Sequence, residues 1–238
     1  MNKLEARKFL DGLAKHLDEL VSTVDVNQLL QSSNCARAED RMVGEILFPI
    51  LSKYAVESGL LTLDEISSNL TIESFGKYKK RHPDNEYVPN GSGARTAQHP
   101  FSKSRDETAK QLYERWMLPE NTKATEQQWP DCGIRVNNGF NIVFEAKLVR
   151  DEPGNGATEL SQGLYEASHY LGLPNSYDKS GAVMWERYDF AVFFACDGSV
   201  DKRLERAYAN LPDTVKCSLW DSACIYPIII PTRDPIKR

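Results

Sequence analysis

The sequence predicts a single α/β domain, and three features of the 238-residue chain indicate this class. Helical periodicity dominates residues 3–56, whereas short apolar runs separated by turns alternate with helical patterns after residue 129. A chain of this length can bury its own core without metal or disulfide crosslinks. The longest apolar runs, Ile225–Pro231 and Phe190–Cys196, are far shorter than the roughly 20 residues of a membrane-spanning helix. No association with a membrane is therefore expected.

Two helices are predicted to open the chain. Residues 3–22 carry apolar side chains at three- and four-residue intervals between charged ones, which is typical of an amphipathic helix. Residues 36–56 repeat the pattern, and Ser33 or Asn34 can serve as the N-cap. The apolar stripe of the first helix can pack within the same chain or form an interface with a second copy.

The remainder divides into an insertion and a core. The predicted insertion covers residues 57–128, of which residues 68–128 show little periodicity, although one helix over Arg105–Met117 is predicted there. Two strands joined by Asn137-Asn138-Gly139 form a predicted hairpin, because Asn-Gly supplies the positive φ angles of a tight turn. The later predicted elements are a helix, a strand, a helix and a strand at residues 158–171, 188–196, 200–210 and 224–230.

The net charge and the cysteines indicate which partners, crosslinks and cellular compartment to expect. The formal net charge of −5 does not by itself indicate a nucleic-acid-binding protein. The five cysteines include no C-x-x-C pair, so neither a disulfide framework nor a structural zinc site is indicated. Since no signal-peptide core follows the charged start, we expect reduced thiols in a cytoplasmic protein.

Three charged residues on the predicted hairpin form a candidate catalytic group. Glu145 and Lys147 are two residues apart on one strand and so face the same way, while Asp131 lies on the neighbouring strand. Two carboxylates suit Mg²⁺, which takes its other ligands from water and phosphate. An ammonium beside such an ion can orient a water for attack on phosphorus. The alternative is that all three are solvated charges on an ordinary hairpin.

The segments Pro130-Asp131 and Glu145-Ala146-Lys147 together resemble the signature of the PD-(D/E)xK nuclease superfamily, to which many type II restriction endonucleases and RecB-like nucleases belong. The resemblance covers roughly residues 129–231. It implies a restriction-endonuclease-like core, with a central mixed β-sheet flanked by helices.

The resemblance also implies roles for these residues. Asp131 and Glu145 would bind Mg²⁺, the backbone carbonyl of Ala146 would be a further ligand, and Lys147 would position the nucleophilic water. On this basis residues 1–56 are N-terminal helices, residues 57–128 are a DNA-recognition insertion, and residues 129–238 are the catalytic core.

Helices next to the hairpin offer further candidates. RecB-like relatives carry a Gln and a Tyr on the following helix, where this chain has Gln162 and Tyr165, although their spacing is one residue shorter than usual. A solvent-facing polar surface explains Gln162 equally well. Relatives often add an acid from the helix before the first strand; Glu39 falls within the apolar stripe, whereas Glu45 points away from it.

A basic segment within the insertion predicts contact with double-stranded DNA. Between Lys77 and Arg105 the chain has seven Lys and Arg residues against two acidic ones. This local excess is typical of phosphate-binding surfaces. The candidate DNA-binding residues are Lys77, Lys79, Lys80, Arg81, Arg95, Gln98, His99, Lys103 and Arg105. Any one of them could instead belong to a solvated loop.

The expected function is therefore Mg²⁺-dependent hydrolysis of DNA, by a sequence-specific type II restriction endonuclease. Such relatives commonly act as homodimers, because a two-fold enzyme matches a palindromic site. One alternative is a RecB-like repair or phage exonuclease. Another is a DNA-binding protein that keeps the fold without catalysis.

Overall fold

The computed structural model describes residues 3–31, 38–72, 131–136, 139–171, 176–177, 183–185 and 188–237. These residues form an α/β structure in which a mixed sheet lies between helices, and the predicted class is confirmed. Most of the predicted insertion, including the helix predicted at Arg105–Met117, lies outside the described residues.

The N-terminal helical region differs from its prediction in two respects. The first predicted helix is confirmed as α1, Lys3–Thr23, which buries its apolar stripe, and a short α2, Val26–Gln31, follows it. The second predicted helix is divided into α3, Ala38–Met42, and α4, Phe48–Glu57. Between them Val43–Leu47 form a single wide turn of π-helix, here called the π-turn. Four of its five residues are buried, so the apolar surface here is wider than one α-helical stripe.

The predicted hairpin is confirmed. β2, Cys132–Arg135, pairs antiparallel with β3, Asn141–Val149, while residues 137–138 of the turn lie outside the described part. On the other side of β2 lies the short β1, Leu70–Ile72, which follows a 3₁₀ turn at Leu63–Glu65 and α5 at Ile66–Asn69.

The C-terminal half follows the predicted order of elements, with one helix and the two short strands at residues 176–177 and 183–185 added. α6, Gly156–Leu171, corresponds to the predicted helix after the hairpin. α8, Asp213–Asp221, was not predicted, because its sequence buries only Trp220 and so has little periodicity. The other elements are β4, Ser176–Tyr177, β5, Val183–Trp185, β6, Phe190–Asp197, α7, Arg203–Ala209, and β7, Ile225–Pro231.

The described main sheet has five strands in the order β1-β2-β3-β6-β7, and β4 and β5 pair separately. The β1-β2-β3 half is antiparallel and the β3-β6-β7 half is parallel. The end strand β7 contains Pro227 and Pro231. Its alternate amides face β6, as shown by Thr232, whose amide donates to the Asp197 carbonyl at 3.0 Å.

The two faces of the sheet bury separate apolar clusters. Phe144 and Phe194 pack with α1, the π-turn and α4 on one face. Val143 and Phe193 pack with α6 and α7 on the other. α6 lies so close to β6 that a Cβ atom added to Gly163 would overlap the ring of Phe193. β3 and β6, the central strands of the sheet, are therefore covered by helices on both faces.

Among the described helices, none is both long enough and apolar enough to cross a bilayer. Four of the cysteines belong to the described part of the chain, and all four are free thiols.

Candidate active site

The candidate site forms where β2 ends and β3 continues. The pairing of β2 with β3 ends at Cys132 and Phe144, but β3 runs on to Val149. Asp131, just before β2, donates its amide to the Phe144 carbonyl at 3.1 Å. Its carboxylate oxygen Oδ2 accepts the amide of Ala146 at 2.8 Å. Asp131 is thus held against the part of β3 that carries the Glu145-Ala146-Lys147 signature.

Glu145 is enclosed by this arrangement. Only 9% of the surface of Glu145 is exposed. A charged residue on the solvent side of an ordinary hairpin would be mostly exposed. Burial, together with the nearby carboxylates of Asp131 and Glu166, raises the pKa of Glu145 to about 10. Glu145 is therefore not an ordinary surface charge.

Lys147 lies among carboxylates from three elements. Its Nζ atom is 3.5 Å from Oε1 of Glu39 on α3, and 24% of its side chain is exposed. Burial alone lowers the pKa of Lys147, but Glu39, Glu166 and Glu145 outweigh this effect, so the net pKa is raised. Lys147 is therefore an ammonium ion at neutral pH.

The two candidate acids of the N-terminal helices are separated by the structure. Glu39, which the helical wheel placed on the inward side, is the one that pairs with Lys147. Glu45 belongs to the π-turn and is half-buried. The carboxylates that act on Lys147 do not include that of Glu45.

Helix α6 brings three polar side chains to the site. Gln162 is exposed, and its Nε2 donates to Oε1 of Glu166 at 2.9 Å. Glu166 is itself buried and hydrogen bonded to Glu145. The Tyr170 hydroxyl donates to Oε2 of Glu145 at 2.8 Å. Gln162 is therefore linked to Glu145 through Glu166 rather than directly.

Glu166 and Tyr170 were not predicted as site residues. Tyr165, the tyrosine that the family resemblance suggested, is 63% exposed, whereas the tyrosine that contacts Glu145 is Tyr170. A spacing of four residues separates Gln162, Glu166 and Tyr170, so all three follow one side of the helix. That spacing is the signal that could have identified them.

Burial and the neighbouring carboxyl groups also raise the pKa of Tyr170. Its pKa lies well above the ordinary value, first because the residue is buried and then because Glu145 and Asp131 are close. Tyr170 therefore remains a neutral phenol whose hydroxyl donates a hydrogen bond to Glu145. Cys132 is buried as well, and burial raises the pKa of its thiol, which agrees with a small strand residue rather than a nucleophile.

The predicted DNA-binding residues lie outside the described part of the chain. These are Lys77, Lys79, Lys80, Arg81, Arg95, Gln98, His99, Lys103 and Arg105. Their role remains a prediction from the sequence.

The donor atoms at the site fit a hard divalent cation. Asp131 and Glu145 supply carboxylate oxygens. Because a strand residue's amide and carbonyl point to the same side, the Ala146 carbonyl faces the side of β3 on which Asp131 lies. Within the described residues, no group of three or more His, Cys, Asp and Glu side chains is arranged to hold a metal ion. Two carboxylates and one carbonyl leave the remaining positions of a Mg²⁺ ion to water and phosphate.

Comparison of this chain with protein-family models, curated proteins and solved structures found no match. The chemistry of the side chains at the end of β2 is therefore the basis for the function proposed below.

Proposed function

We propose that this protein is a Mg²⁺-dependent nuclease that hydrolyses DNA phosphodiester bonds on a PD-(D/E)xK type of fold. The observation that carries the proposal is the grouping of Asp131, Glu145 and Lys147 beside Glu39, at the point where β3 extends past β2. These residues come from separate parts of the chain. A chance surface pattern would not bring them into one partly buried group.

Each side chain has a distinct role in this proposal. Asp131 and Glu145, with the Ala146 carbonyl, would hold Mg²⁺, which supplies charge neutralisation at the scissile phosphate. The protonated Lys147 ammonium would orient the attacking water by donating a hydrogen bond to its oxygen, and would stabilise negative charge on the phosphate. Glu39 holds Lys147 in place through their ion pair.

Within this class we propose a sequence-specific type II restriction endonuclease that acts on double-stranded DNA as a homodimer. The basic excess between Lys77 and Arg105 supports DNA as the substrate, because phosphate contacts dominate the affinity of such proteins. A two-fold dimer would cut both strands of a palindromic site.

A second candidate is a RecB-like exonuclease. It is favoured by Gln162, whose link to Glu145 through Glu166 places a helix glutamine in contact with the site residues. It is disfavoured by Tyr165, which is exposed and one residue too close to Gln162 for that family pattern.

The proposal is tested by digestion of a DNA of known sequence. We expect purified protein with Mg²⁺ to convert a closed circular plasmid to discrete linear fragments, and chelator to stop the reaction. An exonuclease would degrade only the linear form of the same plasmid.

A third result would contradict catalysis altogether. If the protein retains DNA without cleaving either form, and retention does not depend on Mg²⁺, the chain is a DNA-binding protein that lacks nuclease activity. Fragments of defined length that appear only with metal would support the endonuclease.

A further inference from the structure

We propose that Tyr170 is a positioning residue of the metal site, which fixes the carboxylate of Glu145 by holding one of its two oxygens. The inference rests on the proposed function, because it assigns Glu145 a metal ion to bind. Tyr170 would touch neither the metal nor the DNA and would act only through Glu145.

The contact between the two side chains is direct and enclosed. The Tyr170 hydroxyl lies 2.8 Å from Oε2 of Glu145, and Tyr170 is 1% exposed. The two residues are 25 positions apart, one on α6 and the other on β3. Because its ring is buried in the apolar cluster between α6 and the sheet, the hydroxyl has a fixed position.

The neighbouring acid makes this fixation necessary. Glu166 is hydrogen bonded to the same carboxyl group of Glu145 and is held by Gln162. Without the hydroxyl, Oε2 of Glu145 would lose this hydrogen bond, and the carboxyl group could turn about its terminal bond while it stays in contact with Glu166. With Oε2 held by Tyr170, the orientation of the other oxygen, Oε1, is fixed as well. Mutation of a residue that orients a metal ligand in this way commonly lowers metal affinity or activity by about 10- to 100-fold.

The experiment compares Tyr170→Phe, which removes only the hydroxyl, with Tyr226→Phe as the matched control. The Tyr226 hydroxyl also donates to a carboxylate, that of Asp11 on α1 at 2.5 Å, but belongs to β7 rather than to the site. Binding of Mg²⁺ without DNA is measured by titration calorimetry, and the Mg²⁺ concentration for half-maximal cleavage is measured separately.

For Tyr170→Phe we expect Mg²⁺ affinity to fall by about 10- to 100-fold and the half-maximal Mg²⁺ concentration to rise in parallel. Saturating Mg²⁺ should restore much of the cleavage, which a general loss of folding would not allow. Tyr226→Phe should match the wild type in both measurements. A folded Tyr170→Phe variant with unchanged metal affinity and unchanged Mg²⁺ dependence would overturn the proposal.

A second measurement follows the Tyr170 hydroxyl in the wild-type protein. Because its hydroxyl bonds to a metal ligand, binding of Mg²⁺ to the wild-type protein should shift the tyrosine absorption band, and this shift should be absent in Tyr170→Phe or, if that variant does not fold, in Glu145→Gln. Metal binding that leaves the band unchanged overturns the role of Tyr170.

The two levels of inference fail differently. If the wild-type protein neither binds Mg²⁺ nor cleaves DNA, the proposed function falls and the role of Tyr170 falls with it. If the wild type does both and Tyr170→Phe equals it, only the positioning role is wrong.

Discussion

Lys147 is the residue whose removal most directly tests the site. We expect Lys147→Ala to reduce cleavage by about 10²- to 10⁴-fold, because the ammonium that orients water and stabilises charge is lost. DNA affinity should be largely retained, since phosphate binding is assigned to the basic segment. Cleavage rates on plasmid DNA and a DNA-binding titration in Ca²⁺ measure the two effects separately.

Lys216→Ala on α8 is the matched control for that variant. The exposed fraction of its side chain is 27%, close to the 24% of Lys147, and its ion pair with Asp213 is not part of the site. It should cleave like the wild type. Near-normal cleavage by Lys147→Ala would exclude the assigned site.

Arg203 is a residue of structural rather than catalytic importance. Its guanidinium contacts both carboxylate oxygens of Glu159 and donates to the carbonyls of Arg150 and Glu152 at 3.0 Å and 2.7 Å. Its side chain is only 9% exposed. Arg203→Ala would leave Glu159 and two carbonyls without this partner, and we expect a loss of about 2 to 3 kcal/mol in the free energy of unfolding.

The comparison for Arg203 is Arg206→Ala in the same helix, measured by urea denaturation. Arg206 pairs with Asp201, but both side chains are more than half exposed. Such surface pairs contribute about 0 to 1 kcal/mol. Equal losses from the two variants would show that burial of the Arg203 network has no special effect.

The sequence predicted some residues of the candidate site and not others. Asp131, Glu145 and Lys147 were proposed together from a sequence resemblance, and strand alternation predicted that Glu145 and Lys147 face the same way. Glu39 followed from the helical wheel in the same way. Tyr170 could not be assigned a partner, because its aromatic ring fits the apolar stripe of α6 and its hydroxyl contact depends on how α6 packs on β3.

At the scale of elements, the close packing of α6 on the sheet is the feature most sensitive to change. Gly163→Ala would place a methyl group against the ring of Phe193. Alanine is the better helix former by about 1 kcal/mol, but overpacking costs about 1 to 3 kcal/mol. We therefore expect a net decrease in the free energy of unfolding, measured by chemical denaturation.

Ser161→Ala supplies the control for this helix, because Ser161 is exposed on α6. It should change stability by less than about 0.5 kcal/mol. If Gly163→Ala is more stable than the wild type, α6 can move away from β6 without loss, and its tight packing is not required.

Whole elements were predicted where a local pattern determines them. β3 and β6 have continuous buried runs, and the hairpin has a strong turn signal, so their strands lie within a few residues of the prediction. The π-turn was missed because its extra residue depends on packing against both α1 and the sheet rather than on local periodicity. α8 was missed for the opposite reason, since it buries too little to show a period.

For the molecule as a whole, the candidate site joins both helical layers. Glu39 comes from α3 in the N-terminal region, and Glu166 comes from α6 on the other face of the sheet. A Mg²⁺ ion held by Asp131 and Glu145, beside these two residues, would stabilise the entire fold, because unfolding destroys the site. We expect Mg²⁺ to raise the thermal unfolding midpoint. At a Mg²⁺ concentration 100 times the dissociation constant, the free energy of unfolding should rise by about 2.7 kcal/mol.

The thermal measurement needs two controls. NaCl at equal ionic strength separates specific binding from general screening. Asp131→Asn removes one ligand charge while keeping a similar side-chain size, and its midpoint should not respond to Mg²⁺. An equal rise in wild type and variant would place the ion elsewhere on the protein.

The prolines of β7 limit the pairing of this end strand with a strand from another protein molecule. The Thr232 amide faces inward to Asp197, so by strand alternation the outward row of backbone positions is Ile225, Pro227, Ile229 and Pro231. Proline has no amide hydrogen, so half of the donors along this rim are missing. A foreign strand approaching the rim would form an incomplete ladder, and β7 is thereby protected against the edge-to-edge stacking that begins fibrous aggregates.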